Sequence, residues 1–310
     1  MADFVWQGAG NGGPSAMVSH YPNGSVLLES SGSCYCEDWY TSRGNHVEHS
    51  LSNACDWFAF AISVIFLVYY AWAAFNSSVG WEEIYVCTVE LIKVSIDQFL
   101  SSNSPCTLYL STGNRVLWIR YGEWLLTCPV ILIHLSNVTG LKDNYSKRTM
   151  ALLVSDIGTI VFGVTSAMCT GYPKVIFFIL GCCYGANTFF NAAKVYLEAH
   201  HTLPKGSCRT LIRLMAYTYY ASWGMFPILF VLGPESFGHM NMYQSNIAHT
   251  VIDLMSKNIW GMLGHFLRHK IREHILIHGD LRTTTTVNVA GEEMQVETMV
   301  AAEDADETTV

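Results

Sequence analysis

The chain has 310 residues, of which 51% are hydrophobic and only 14% charged. Soluble domains carry about 25% charged residues, so the composition points to a protein that sits largely in a lipid bilayer. The net charge of −8 argues against a nucleic-acid partner.

In chain order, the segment before residue 55 shows no signal-peptide pattern, because no basic start is followed by an apolar run. The first membrane helix is therefore expected to serve as the insertion signal. "NGS" at 23–25 is a glycosylation acceptor pattern. Cys34 and Cys36 lie one residue apart in "CYC", a spacing that fits a mutual disulfide poorly. That leaves open pairing between chains, and hence a dimer.

Seven segments are long enough to cross a membrane, which takes about 20 residues. They run roughly over 55–75, which is clean apart from Asp56 at its edge, and over 81–101, 116–138, 148–170, 173–198, 209–233 and 245–269. Gly, Pro, Asn and Ser mark most joints, as in "FNSSVG", "TGLKDNYS" and "HTLPKG". The connections are short, so consecutive helices are expected to be neighbours in one all-α bundle. Basic residues gather after the third span (Lys142, Lys147, Arg148), after the fifth (Lys205, Arg209) and after the seventh (Arg268, Lys270, Arg272). That asymmetry predicts an outer N-terminus and a cytoplasmic C-terminus. The expected organisation is an extracellular segment over 1–54, a seven-helix unit over 55–269 and a cytoplasmic segment over 270–310. Within the last, "TTTTVNVAGEEMQVETMV" has strand character and the acidic tail reads as solvated.

The charges inside these spans carry the functional signal. In the second, Glu83, Glu90 and Asp97 recur every seven residues, and Lys93 falls on the same stripe. Seven residues is nearly two turns, so the acids form one line of about 21 Å down one face. Such a face on a soluble helix would simply be solvated. Among six other spans it needs water inside the bundle, as cation routes and proton relays do. In the third span Arg120, Glu123 and Trp124 share a face, with Thr127 one turn after Glu123 and His134 three turns on. The fourth holds one acid, Asp156.

The seventh span reads "HTVIDLMSKNIWGMLGHFL", with Asp253 one turn before Lys257. Each charge at mid-bilayer costs about 2.5–3.5 kcal/mol, so the pair needs a purpose beyond a helix salt bridge. A desolvated lysine is a nucleophile towards an aldehyde and gives a Schiff base. The protonated form would need counterions, which Asp253 and Glu123 could supply. Trp124, Trp223 and Phe226 could wall a long apolar conjugated chain.

Together with "CYC", "GWEEIYVCTVELIKV", "RYGEWLLTCPVILIHLSN", "YSKRTMALLVSDIGTIVFG", "KVIFFILGCCYGANTFF", "SWGMFPILF", "HTVIDLMSKNIWG" and "EHILIHGD", these features resemble the microbial rhodopsins. More closely, they resemble the green-algal cation channelrhodopsins, over residues 34 to about 285. The resemblance implies all-trans retinal on Lys257, with Glu123 and Asp253 as counterions and Arg120 beside them. It implies a gating pair, Cys128 and Asp156. It implies a central constriction of Ser63, Glu90 and Asn258, and an inner one of Glu82, Glu83, His134 and Arg268 with Tyr70. Trp124, Thr127, Cys128, Thr159, Gly181, Trp223, Phe226 and Ser256 would line the pigment, and Lys93 and Asp97 would belong to the ion pathway. Cys34 and Cys36 would be the interchain disulfides of a homodimer. The implied setting is the plasma membrane of an algal cell, in the eyespot region. The implied permeant ions are H⁺, Na⁺ and K⁺, with Ca²⁺ a further candidate.

Two departures stand out. Ser101 and Asp97 occupy positions that are often Glu in the family, and Pro173 opens the fifth span. A pump of the same fold would place a carboxylate eleven residues after Glu123, where this chain has His134. A G-protein-coupled opsin would end its seventh helix on an "NPxxY" pattern, and a sensory rhodopsin with an attached enzyme would need a further domain. No phosphate loop, zinc ligand set or nucleophile triad stands out, so an enzyme is not expected. The sequence reading is a light-gated cation channel.

Overall fold

The computed structural model describes residues 4–5, 45–77, 80–100, 108–110, 115–138, 145–236, 238–279, 282–289 and 292–299. The "NGS" triplet, Cys34, Cys36, Ser101 and Lys142 lie outside them.

The first span is α1 (His46–Ser77). It begins nine residues before the expected start, because a capping box closes it. The Asn45 side chain accepts from the Glu48 amide at 2.9 Å, and the Glu48 carboxylate accepts from the Asn45 amide at 2.8 Å. The second span is α2 (Trp81–Ser95), which runs on as a π-helical turn over Ile96–Leu100. Gly80 enters it at φ 106°, a conformation that favours glycine. The third span is α3 (Trp118–Val138), the fourth α4 (Tyr145–Met168) and the fifth α5 (Gly171–Thr202). The sixth is broken at Gly224 into α6 (Ser207–Trp223) and α7 (Met225–Leu232). Pro227, which has no N–H to donate, lies in the first turn of α7. The seventh is α8 (Met242–Asp253), a π-helical segment over Leu254–Ile259, and α9 (Trp260–His278). It continues nine residues past the expected end.

Short strands accompany the helices. β1 (Phe4–Val5), β2 (Leu108–Leu110) and β3 (Arg115–Val116) make one antiparallel sheet, with Phe4 opposite Leu110 and Leu108 opposite Val116. After the bundle, β4 (Arg282–Val289) and β5 (Glu292–Met299) form an antiparallel hairpin, where the sequence has strand character.

Consecutive spans pack side by side, and α8 returns to α1, so the seven spans close into a ring. Among the described residues, three helical stretches, His46–Asn76, Lys147–Met168 and Gly171–Thr202, are long and apolar enough to cross a membrane on that criterion alone. The others are interrupted or carry charge. The bundle is inside-out relative to a soluble protein. On α1 the exposed side chains include Ile65, Val68, Trp72 and Phe75, while Ser52, Asp56, Ser63 and Tyr70 are buried. A ring whose outer face is apolar and whose inner face is polar belongs in lipid.

Candidate functional site

The two π-helical segments set the site's local geometry. An α-helix presents one or two residues per turn to a given side. The wider π turn at 254–259 buries three successive residues, Ser256, Lys257 and Asn258. The π turn at the end of α2 likewise buries Asp97 and Gln98 together. Such turns recur at functional sites.

Lys257 is only 4% exposed. Its Nζ donates to Asp253 Oδ1 at 2.8 Å and to Glu123 Oε1. A second cation closes the group, since Lys93 Nζ lies 3.3 Å from Asp253 Oδ2 and 3.6 Å from Glu123 Oε2. Trp124 Nε1 also donates to Asp253 Oδ1, at 3.3 Å. Two ammonium groups thus face two carboxylates. Each charge has a partner of opposite sign, the condition under which charge is tolerated at depth.

The remaining polar residues form layers on either side. Next to this group, Ser63 Oγ donates to Glu90 Oε2 at 3.1 Å and Asn258 Nδ2 donates to Ser63 Oγ at 3.4 Å. Cys87 Sγ reaches Asn258 Oδ1 at 3.7 Å. Towards the end of the bundle that holds the start of α2, Arg268 pairs with Glu83 and, at 3.4 Å, with Glu82. His134 Nδ1 stands 3.4 Å from Glu83 Oε1. Gly264 makes room for that ring, because a Cβ there would meet His134 Nε2 at 2.7 Å. Tyr70 lines a small cavity with Glu82, Glu83, His134 and Lys257.

At the opposite end, Asp56 gathers Asn246, Thr250 and Gln98. Arg120 donates to His249 Nε2 at 3.3 Å, so His249 carries its proton on Nδ1 and donates it to the Ser245 carbonyl at 2.7 Å. His249 also stacks on Trp124 at 6.0 Å. Sequence reading missed Cys87, Gln98, His249 and Glu235, and took Asp56 only as a span edge.

Beside this polar seam is a cavity of about 290 Å³, bounded by α3 to α7 and the chain around Glu235 and His249. Trp124, Cys128, Asp156, Thr159, Gly181, Trp223 and Phe226 all line it. Thr127 and Ser256 are buried but are not among its lining residues. Their hydroxyls donate to the Glu123 and Asp253 carbonyls. Cys128 and Asp156 come to the same cavity from α3 and α4, and Asp156 Oδ2 has no hydrogen-bond partner among the described residues. Glu235 accepts from Tyr121 Oη at 2.7 Å and from the Leu117 amide at 3.0 Å.

The donor set and the space fit retinal. The cavity is apolar and aromatic, and Trp124 on its wall donates to Asp253, which accepts from the buried amine of Lys257; Lys257 itself lines the separate small cavity with Glu83 and His134. Residues 50–271 match the model of the family described as bacteriorhodopsin-like protein. The chain is a microbial rhodopsin. This family binds retinal, and Lys257 is the residue of this rhodopsin that would hold it.

Among solved structures, the rhodopsin is similar to the red light-activated channelrhodopsin Chrimson. The identity is 47%, the TM-score 0.80, and the match covers 90% of this chain and 98% of that one. Thermophilic rhodopsin from Rubrobacter xylanophilus is 19% identical over 71% of this chain and 97% of its own, with a TM-score of 0.63. Bacteriorhodopsin-II of Haloarcula marismortui is 22% identical over 67% of this chain and 82% of its own length. These two likenesses speak for the fold alone.

Proposed function

We infer that this rhodopsin is a light-gated cation channel and not an enzyme. The observation that carries this is the polar seam beside Lys257, together with the 47% identity to a channelrhodopsin over nearly the whole chain. Retinal, bound in its all-trans form, supplies the absorption of light and a change of shape. In the dark, Glu123 Oε1 and Asp253 Oδ1 stabilise the charge on the Lys257 nitrogen, and they are the groups within reach to accept its proton. Once that proton moves, the attraction that locks Lys93, Glu123 and Asp253 together weakens. The Ser63–Glu90–Asn258 contact and the Glu82/Glu83/His134/Arg268 cluster then loosen, water joins the layers, and cations flow down their gradient. This is a bistable packing biased by a local charge change. Cys128 and Asp156, on the cavity wall, couple the third and fourth spans and set how long the open state lasts. Protons, Na⁺ and K⁺ are the proposed permeant ions, with Ca²⁺ a further candidate.

Basic residues near span ends support an outer N-terminus and a cytoplasmic C-terminus. The proposed setting is the plasma membrane of an algal cell, as a homodimer through Cys34 and Cys36. Non-reducing electrophoresis of Cys34→Ser/Cys36→Ser against wild type tests the dimer. A proton pump is disfavoured because the reloading position after Glu123 holds His134, itself engaged by Glu83. The deciding experiment is the photocurrent under voltage clamp. A channel current reverses sign with the ion gradient, and one that keeps its direction under every gradient defeats the reading.

A further inference from the structure

We propose that Asp56 and the oxygens around it form a binding site for an alkali-metal cation at the outer end of the seam. A permeating Na⁺ would occupy it before reaching Glu90; the proposal rests on the channel reading above.

Asp56 is a buried carboxylate, 7% exposed, without an ion pair among the described residues. Its hydrogen bonds come from neutral groups. Asn246 Nδ2 lies 3.0 Å from both oxygens, Thr250 Oγ1 donates at 3.2 Å and Gln98 Nε2 at 3.4 Å. Lys93 is close enough to act electrostatically, but its ammonium is already held by Asp253 and Glu123. A charged carboxylate at depth is costly unless a cation offsets it.

The independent pointer is Gln98. It is 5% exposed, its amide end is in the cluster, and its Oε1 has no partner among the described residues. An orphaned carbonyl oxygen beside an unpaired carboxylate is an acceptor pair lacking a cation. Ser52 Oγ, 3.1 Å from Asn246 Nδ2, adds an oxygen, and Asp97 adds a second carboxylate within electrostatic range.

The atoms that could hold a cation, the Asp56 carboxylate, Gln98 Oε1, Thr250 Oγ1 and Ser52 Oγ, are hard oxygens, suited to alkali and alkaline-earth ions and poor for soft metals. Among the described residues no group of three or more His, Cys, Asp or Glu is arranged to hold a metal. The site is therefore one of transit, weak enough to release its ion. Its place on the path follows from helix spacing. Asp56, Ser63 and Tyr70 recur every seven residues along α1 and are all buried, so the site continues the line through Ser63 and Glu90 towards Glu83.

The test is the inward photocurrent against external Na⁺, replaced by a large organic cation at constant ionic strength. Wild type should saturate. In Asp56→Asn the half-saturating Na⁺ should rise at least about threefold, with the visible absorption band retained. Thr250→Val, which deletes one oxygen at nearly constant volume, should raise it at least about twofold and decides the matter if Asp56→Asn gives no pigment. A current linear in Na⁺ in wild type, or an unchanged half-saturation in coloured Asp56→Asn, shows that the carboxyl is only a structural tie. A wild-type current that never reverses removes the site together with the channel; a reversing wild type with an unaltered variant removes the site alone.

Discussion

The two halves of the bundle have similar outer faces and opposite interiors. Spans one, two, three and seven meet along a seam that buries Asp56, Glu83, Glu90, Glu123, Asp253 and Lys257 and half-buries Lys93. Spans three to six enclose an apolar cavity whose lining acids are Asp156 and Glu235. The third span serves both, with Glu123 and His134 towards the seam and Trp124 and Cys128 on the cavity. A bilayer tolerates the first interior only because each central charge is paired or faces a site for water or ions. The division assigns tasks by environment: the dry half suits a pigment, the wet half a path for ions, and Lys257 stands where they meet.

The largest effect should come at that junction. Lys257→Ala should abolish the visible absorption band after reconstitution with all-trans retinal. It should also leave Lys93 alone with two carboxylates, and removing one partner of a buried charge group costs about 3–5 kcal/mol. A coloured Lys257→Ala protein without added amine would break the assignment of retinal to this lysine.

Next, Glu90→Arg should strike the seam and spare the cavity. A positive charge midway between Glu83 and Asp97 repels cations in a low-dielectric path. A change of only about 1.4 kcal/mol alters a permeability ratio tenfold. The reversal potential in varied Na⁺ and Cl⁻ should show weakened cation flow and admitted anions, with the absorption maximum little moved. An unchanged reversal potential would take Glu90 off the path.

What was legible in the sequence divides along the same line. The heptad stripe of Glu83, Glu90 and Asp97 is a one-dimensional pattern, and so is Asp253 one turn before Lys257. Both could be read from helical spacing. Gln98 could not, because a π turn changes the register, and an unbroken α-helix would turn Gln98 away from Asp97. Asp56 was discounted because the first span was started at 55, although Asn45 and Glu48 are three residues apart, the signature of a capping box. His249 and Glu235 became visible only when separate helices brought Arg120, Trp124 and Tyr121 to them.

A smaller effect should come from the cavity wall. Cys128→Ser or Asp156→Ala should slow channel closing by about tenfold or more, the rate equivalent of about 1.4 kcal/mol, a loss comparable to one hydrogen bond. Ion preference should change far less. Closing at wild-type speed in both variants would detach the pair from gating.

The smallest effects, compared side by side, test how separate the halves are. Ser63→Ala removes the hydroxyl between Glu90 and Asn258, leaving a gap in a polar layer that water can fill. The net loss is about 0.5–1.5 kcal/mol, so closing kinetics or Na⁺ permeability should move a few-fold with the absorption maximum nearly fixed. Gly181→Ala adds one methyl to the cavity wall. Its new carbon would meet the Gly163 amide and the Thr159 carbonyl at 3.5 Å and the Phe162 Cβ at 3.6 Å, all ordinary contacts, so the fold should absorb it. The methyl alters the apolar lining without touching the seam. The absorption maximum should therefore shift while the reversal potential stays fixed. The paired measurement is an absorption spectrum and a reversal potential for each variant. If Gly181→Ala moves the reversal potential as much as Ser63→Ala does, the cavity wall and the ion path are one coupled element, and the division of the bundle into a dry and a wet half fails.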